Sequence, residues 1–287
     1  MFDEYGLVYE NYDLKKLNTY NVSCKARYFI IVNDIIKLTM LFKYIIDNKM
    51  KYFVIGNGSN IILPSIYDGV VIKLDFNDIE FNRNKVIVPA NYLLPQLVNT
   101  TISHGLSGLE WASGIPGTIG GAVIGNAGAY KDEICNYIEE LEVIENNKIR
   151  IIKRNEIDFT YRFCSLKYRD LIILKVTLNL KKGNKEKSLE IIKEHIEKRK
   201  SSQPLDKPTA GSVFKNPEGF AAGKLIDDLN LKGYKIGGAE ISKKHANFII
   251  NTGDATGEDI VKLINFIKTR VEEEYHIDLV LEQQIIL

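Results

Sequence analysis

The stretch "GLEWASGIPGTIGGAVIGNAGAY" (108–130) decides how the rest of the chain is read. Eight glycines fall between Gly105 and Gly128, out of 21 in all, which makes the segment too glycine-rich for a helix and too apolar for a linker. An ordered glycine costs conformational entropy, so a cluster marks tight turns, positive φ angles or close approach of a ligand to the backbone. Within it, "SGIPGTIGG" (113–121) sets Ser113, Gly114, Ile115, Pro116, Gly117, Gly120 and Gly121 in a loop where proline fixes one φ between glycines.

A comparable loop lies upstream. "GNGSNIIL" (56–63) follows the strand-like "YFVI", and Gly56, Asn57, Gly58, Ser59 and Asn60 make a backbone nest able to donate N–H groups to phosphate oxygens. It is neither a Walker loop nor a Rossmann fingerprint, since G-K-[ST] is missing and the glycine spacing differs. An ordinary Gly/Asn turn accounts equally for this octamer, and tight strand packing for the later cluster. Two such loops in one chain suggest the diphosphate of an extended dinucleotide.

Composition narrows the partners. The 287 residues are 45% hydrophobic, enough for one large core or two to three smaller ones. Basic and acidic residues balance at 38 to 37, which favours neither nucleic acid nor an anionic membrane. Cys24, Cys135 and Cys164 show no C-x-x-C spacing, and the four histidines lack metal-site spacing, so neither a disulfide framework nor a metal centre is expected. The start of the chain lacks a secretory pattern and no apolar run is long enough to span a bilayer; a soluble cytoplasmic protein is expected.

Short β-branched runs predict strands at "YFIIV" (28–32), "YFVIG" (52–56), "GVVIKL" (69–74) and "KVIVPA" (85–90), with an amphipathic helix over 33–50. After the cluster, 137–154 reads as two strands around the polar turn "ENNK", and 171–180 as a central strand. "KKGNKEK" (181–187) reads as a solvated break before a helix over 188–200, and the proline-bearing 201–217 as a structured loop. Further on come a helix (220–230), a strand (247–251), a long helix whose Thr256 and Asp259 fit a capping box, and a terminal strand within 278–287. Trp111 reads as core, and His245 as a structural histidine beside a strand. The fold class expected is α+β, with parts at 1–75, 76–185 and 186–287.

The ordered set "NTYNV", "GNGSNIIL", "GLEWASGIPGTIGGAVIGNAGAY", "YRFCS", "QPLDKPTAGSVFKNP", "AGKLI" and "GGAEISKKHANFIIN" resembles the UDP-N-acetylenolpyruvoylglucosamine reductase family over nearly the whole chain. That resemblance implies a two-part FAD-binding module of the alcohol oxidase/PCMH type followed by an α/β substrate domain, with the terminal strand returning to the active site. It implies non-covalent FAD at the two glycine loops, NADPH as hydride donor and UDP-N-acetylglucosamine enolpyruvate as substrate. It implies too a monomer or weak oligomer, and a short subtype, because 171–192 runs from strand to helix without room for an inserted tyrosine loop. An alcohol oxidase with a covalent flavin would need His or Cys near these loops, and "GNGSN" and "SGIPG" have neither.

Three catalytic positions carry over by motif: Arg162 from Y-R-x-S, Ser212 from A-G-S, and Glu282 from the terminal L-E-P-E-V pattern, matched here by "LVLEQ" (279–283). Alignment from "YHI" (275–277) selects Glu282, whereas alignment on Leu281–Glu282 would put Gln284 there. The resemblance implies that Arg162 stabilises charge on the substrate carboxylate, that Glu282 assists beside it, and that Ser212 protonates the α-carbon with Lys215 as a nearby cation. Lys215, Asn216 and Tyr161 are the substrate-binding candidates. Cys164 departs from the usual serine of the motif, and the chain ends in Leu287 rather than glycine.

Overall fold

The structure, a computed structural model, describes residues 2–287. Two compact units form. The first takes in the chain up to Glu10, Tyr28–Gly56 and Gly69–Glu197; the second takes in Asn11–Arg27, Asn57–Asp68 and Lys198–Leu287.

The first unit is built on an antiparallel sheet of five strands in the order Lys148–Lys153, Ile138–Glu145, Leu171–Asn179, Lys85–Pro89, Glu80–Asn82. Leu171–Asn179 is central, as its apolar run predicts. The hairpin 138–153 turns on Asn146 and Asn147 (φ 50° and 59°), the paired left-handed geometry that asparagine tolerates and two-residue hairpins require. A smaller sheet sets Tyr52–Val54 parallel to Ile66–Leu74, and α1 (Ile35–Asp47) leads from its strand Lys25–Val32 into Tyr52–Val54. In α1, Leu38, Leu41, Phe42 and Ile45 fall on one buried face, and the Asp34 side chain caps the first turn by accepting from Lys37 N–H at 2.8 Å. α2 (Leu94–Ser103) buries Leu94, Leu97, Val98 and Ile102 in the same continuous core. Trp111 belongs to that core, as expected.

Two expectations are corrected here. The glycine cluster does contain a helix, α3 (Ile119–Ile124). Thr118 caps it by accepting from Gly121 N–H at 3.3 Å, and Ile119, Ala122 and Val123 bury one face. Gly120 lets it lie against a strand end: its N–H reaches Ala90 O at 2.8 Å, and a Cβ there would stand 2.9 Å from Ala90 Cβ. Secondly, α4 (Lys185–Ser202) starts inside the expected solvated break. Asn184 caps it through Lys187 N–H at 2.8 Å, so a polar run became a helix start.

In the second unit, α5 (Ala222–Asp228) and α6 (Gly257–Tyr275) accompany a three-stranded antiparallel sheet, Lys235–Ile236, Ala239–Ile241, Ile249–Asn251. The predicted capping box opens α6: Asp259 N–H donates to Thr256 Oγ1 and Thr256 N–H to Asp259 Oδ2, both at 3.1 Å. Ile260, Leu263, Ile264, Ile267 and Val271 are its buried stripe. The expected terminal strand is regular only over Gln284–Ile285, which pairs parallel with Ile61–Ile62. Among the described residues no helix is long and apolar enough to cross a membrane, and the three cysteines are buried and free.

Gly257, at the first turn of α6, has no room for a side chain, because a Cβ would overlap the Leu63 carbonyl. Gly257→Ala is expected to lower stability by at least about 2 kcal/mol in denaturant unfolding, at the upper range for overpacking. Gly125→Ala, where a Cβ meets nothing nearer than Gly121 O at 3.4 Å, is expected to stay close to the parent.

Candidate active site

The upstream loop is held from below by the N-terminal "NTYNV" segment. Gly58 has φ 59°, and a Cβ on it would stand 2.6 Å from Asn18 Cα. Asn18 is itself buried and fixed, donating from Nδ2 to Leu14 O (3.0 Å) and Val22 O (2.9 Å). Thr19 N–H donates to Gly58 O at 3.1 Å. Gly56 and Asn57 are exposed; Ser59 and Asn60 are half-buried. Among the described residues, the N–H groups of Gly58 and Ser59 take part in no intramolecular hydrogen bond, as a nest for an anion needs.

Gly56 belongs to the first unit and lies against α3: a Cβ would come within 2.6 Å of Thr118 Oγ1. In the loop before α3, Gly117 O accepts from Leu94 N–H at 2.9 Å, while Gly114 and Gly117 N–H stay outside any intramolecular bond among the described residues. Ser113 Oγ is buried with no partner. An orphaned buried hydroxyl costs free energy unless a ligand completes it. Ile115 packs against the core and Pro116 is exposed. Each loop by itself fits a phosphate-bearing group: the upstream one by open backbone donors where a side chain is forbidden, the later one by open donors beside an unsatisfied hydroxyl.

Arg162 sits in a tight hairpin, with Phe159 paired to Cys164 and Thr160 to Phe163, so that Tyr161 and Arg162 form the turn. Arg162 adopts φ 54°, a left-handed conformation that is costly for an arginine and marks a position fixed by its surroundings. Its guanidinium donates to Gly128 O at 2.8 Å and lies 5.4 Å from the Tyr161 ring centre. Tyr161 is exposed. Asn126, wholly buried and itself at φ 40°, donates to Thr160 O and Glu133 Oε2, both at 2.9 Å. The tail of the glycine cluster thus holds the arginine hairpin. Asn126 and Gly128 were missed as site residues in the sequence; the "GNAGAY" spacing was a signal, but its contact lies 34 residues away. Cys164 is buried in the core, and burial raises its thiol's pKa, which keeps it protonated.

In the second unit the Ser212 loop is pinned at several points. Thr209 Oγ1 donates to Ile249 O at 2.6 Å, and Val213 N–H to Asn247 O at 2.9 Å. Asn247 also brackets Phe214, accepting from its N–H (3.0 Å) and donating to its carbonyl (2.8 Å). Gly211 has φ 81°, the turn that presents Ser212. The C-terminal segment closes against this loop: Lys215 N–H donates to Val280 O (2.9 Å) and Glu282 N–H to Val213 O (2.8 Å). Ser212 and Glu282 are brought together in this way, and Asn60 joins them, its Nδ2 reaching Glu282 O at 3.3 Å. The Lys215 ammonium makes no ion pair among the described residues, and Asn216 Oδ1 accepts from Ala222 N–H at 3.0 Å at the start of α5. His245 is structural in its contacts: Nδ1 accepts from Asn247 N–H at 3.2 Å, and burial holds its imidazole below the ordinary histidine pKa.

Residues 203–286 match the family model "UDP-N-acetylenolpyruvoylglucosamine reductase, C-terminal domain", and residues 26–148 match "FAD binding domain". The UDP-N-acetylenolpyruvoylglucosamine reductase of Caldanaerobacter subterraneus subsp. tengcongensis is 39% identical over 98% of this chain and 94% of its own. The chain belongs to the UDP-N-acetylenolpyruvoylglucosamine reductase family. The reductase of Thermotoga maritima is 40% identical over 91% of this chain and 92% of its own. The crystal structure of the Thermus caldophilus reductase matches with a TM-score of 0.83 at 35% identity, covering 97% of this chain and 98% of that one. As a member of this reductase family with an FAD-binding domain, the chain is an FAD-containing oxidoreductase of α+β class. Both glycine loops lie within the FAD-binding match; Ser212, Lys215, Asn216 and Glu282 lie within the reductase match; Arg162 lies between the two.

Gly58→Val is expected to remove the nest, since it forces a branched side chain into φ 59° against Asn18. Flavin absorbance per chain after purification should fall to near zero, and a variant with full flavin would contradict the assignment of this loop.

Proposed function

We propose that this chain reduces UDP-N-acetylglucosamine enolpyruvate to UDP-N-acetylmuramate, with NADPH as hydride source, in the cytoplasmic supply of peptidoglycan precursors. The observation that carries the reading is the placement of Ser212 and Glu282 on directly hydrogen-bonded segments, in a chain that matches the reductase family along almost its full length. On this reading, 1–75 and 76–185 hold the cofactor and 186–287 the sugar nucleotide. The Gly56–Asn60 and Ser113–Gly121 loops would hold FAD through backbone N–H groups and the Ser113 hydroxyl. The chemistry FAD supplies when bound is hydride transfer from NADPH to the enolpyruvyl double bond.

The protein's own residues do the rest. Arg162 meets the substrate carboxylate with a planar charged fork and stabilises the negative charge that grows there. Gly128 O and the strained hairpin fix its direction beforehand, so little reorganisation is needed in the transition state. Ser212 gives its proton to the α-carbon and regains one from water. Lys215, three residues on, favours loss of that proton by its charge. Glu282 bears on the same carboxylate as a hydrogen-bonding partner, and its backbone bond to Val213 fixes its distance from Ser212. Lys215, the Nδ2 group of Asn216 and the exposed Tyr161 hydroxyl serve the sugar nucleotide.

Ser212→Ala separates the two halves of the reaction. Reduction of the enzyme's flavin by NADPH should stay within about twofold of the parent, because no carbon is protonated in that half. Reoxidation by the enolpyruvyl sugar should slow by about 10²–10⁴-fold, the usual contribution of a general acid. Stopped-flow absorbance follows both halves, and reoxidation at the parent rate would remove Ser212 from the mechanism.

A further inference from the structure

Beside Glu282 lies a side chain that the mechanism leaves unused. Gln283 is 3% exposed, a neutral amide in the interior of the second unit. Both its amide oxygen and its amide nitrogen are engaged. Its Oε1 accepts from Tyr20 Oη at 3.0 Å, and its Nε2 donates to both Ala210 O and Gly211 O, each at 3.2 Å. Tyr20 is itself fully buried, and its backbone carbonyl accepts from Asn251 Nδ2 at 2.8 Å, so the anchor behind Gln283 is rigid. Burial raises the Tyr20 pKa well above the ordinary phenol value, leaving a permanent hydroxyl donor.

We propose that Gln283 is a positioning residue for Ser212: its amide clamps the Ala210 and Gly211 carbonyls and so fixes the direction in which the Ser212 hydroxyl points. This rests on the function proposed above and adds to it the residue that sets the aim of its proton donor. The two carbonyls belong to the consecutive peptides on either side of the Gly211 Cα, so holding both at a single amide fixes the backbone angles of Gly211. Gly211, at φ 81°, would otherwise be the freest joint in the loop, since glycine reaches many conformations at little cost. The loop beyond Ser212 is fixed by Asn247, so Gly211 is where its remaining freedom lies. Because Gln283 follows Glu282 directly, one backbone bond and one side-chain clamp tie the carboxylate and the serine to the same short segment.

The test is a set of holoenzyme variants: Gln283→Leu, which keeps the volume and removes the amide; Tyr20→Phe, which removes only the anchor; Ser212→Ala; and Ser212→Ala with Gln283→Leu. Flavin content, thermal midpoint, flavin reduction by NADPH and reoxidation by the enolpyruvyl sugar are measured for each. Gln283→Leu should slow reoxidation by about tenfold or more, as small misplacements of a reacting group do. It should keep the KM for the sugar within about threefold and the reduction half within about twofold, since the substrate still binds and only the aim is lost. Tyr20→Phe should give a smaller loss of the same kind, and it carries the test if Gln283→Leu does not fold. The double variant should be no slower than Ser212→Ala alone, because a clamp that acts through Ser212 has nothing left to position. Equal losses in both half-reactions, or a double variant slower by the full product of the single losses, would overturn the proposal in favour of a merely structural role. Ser212→Ala slow with Gln283→Leu and Tyr20→Phe at the parent rate would sink the clamp and leave the proposed function standing. Ser212→Ala at the parent rate would sink both.

Discussion

The second unit depends on how its last eight residues are held. The chain from Val280 to Ile286 is bonded on one side to the Ser212 loop, through Val280 O and Glu282 N–H. Further along it is bonded to the last residue of the nest and the segment after it, through Gln284 N–H to Asn60 O (2.9 Å) and Ile286 N–H to Ile62 O (3.0 Å). A strand has a side-chain period of two, so a slip of one residue would turn Glu282 to the opposite face and bring Gln283 outward. The bonds to Val213 and Asn60 therefore fix which side chains of the segment share a face. Buried Leu279 and Gln283 on either side of this ladder make the slipped register costly.

The N-terminal "NTYNV" segment plays the matching part from the other end of the sequence. Asn18 braces its own loop, Thr19 holds Gly58, and Tyr20 holds Gln283, three successive residues serving the nest and the terminal strand at once. In the first unit the same economy falls to the glycine cluster. Its early glycines leave backbone donors open near Ser113, its middle ones let α3 lie against Ala90, and its last residues, Asn126 and Gly128, orient Arg162. Crowding explains the missing side chains at Gly56, Gly120 and Gly128, where protein atoms alone would obstruct a Cβ.

Much of this was legible because the signals were local. Apolar spacing and an Asn/Asp start specify α1; "ENNK" specifies a polar turn between two strands; Thr256 and Asp259 specify the start of α6. The helix within the glycine cluster was not legible, since its stability comes from burial of Ile119 and Val123 and from Thr118 rather than from propensity. The early start of α4 was hidden in a charged run in which Asn184 looked like a break and acts as a cap. Gln283 and Asn126 were invisible as positioning groups for a single reason: their partners lie 263, 73 and 34 residues away in sequence, and an amide gives no sign of what it will hold.

The claim that the terminal strand is zipped in one register is most directly tested by native-state amide exchange on the flavin-loaded protein. The account predicts an alternating pattern in which Glu282, Gln284 and Ile286 amides, donors to Val213, Asn60 and Ile62, are protected to a degree comparable with Asn251. Uniformly fast exchange from Val280 to Leu287, as in a fraying terminus, or protection shifted to Gln283 and Ile285, would contradict it.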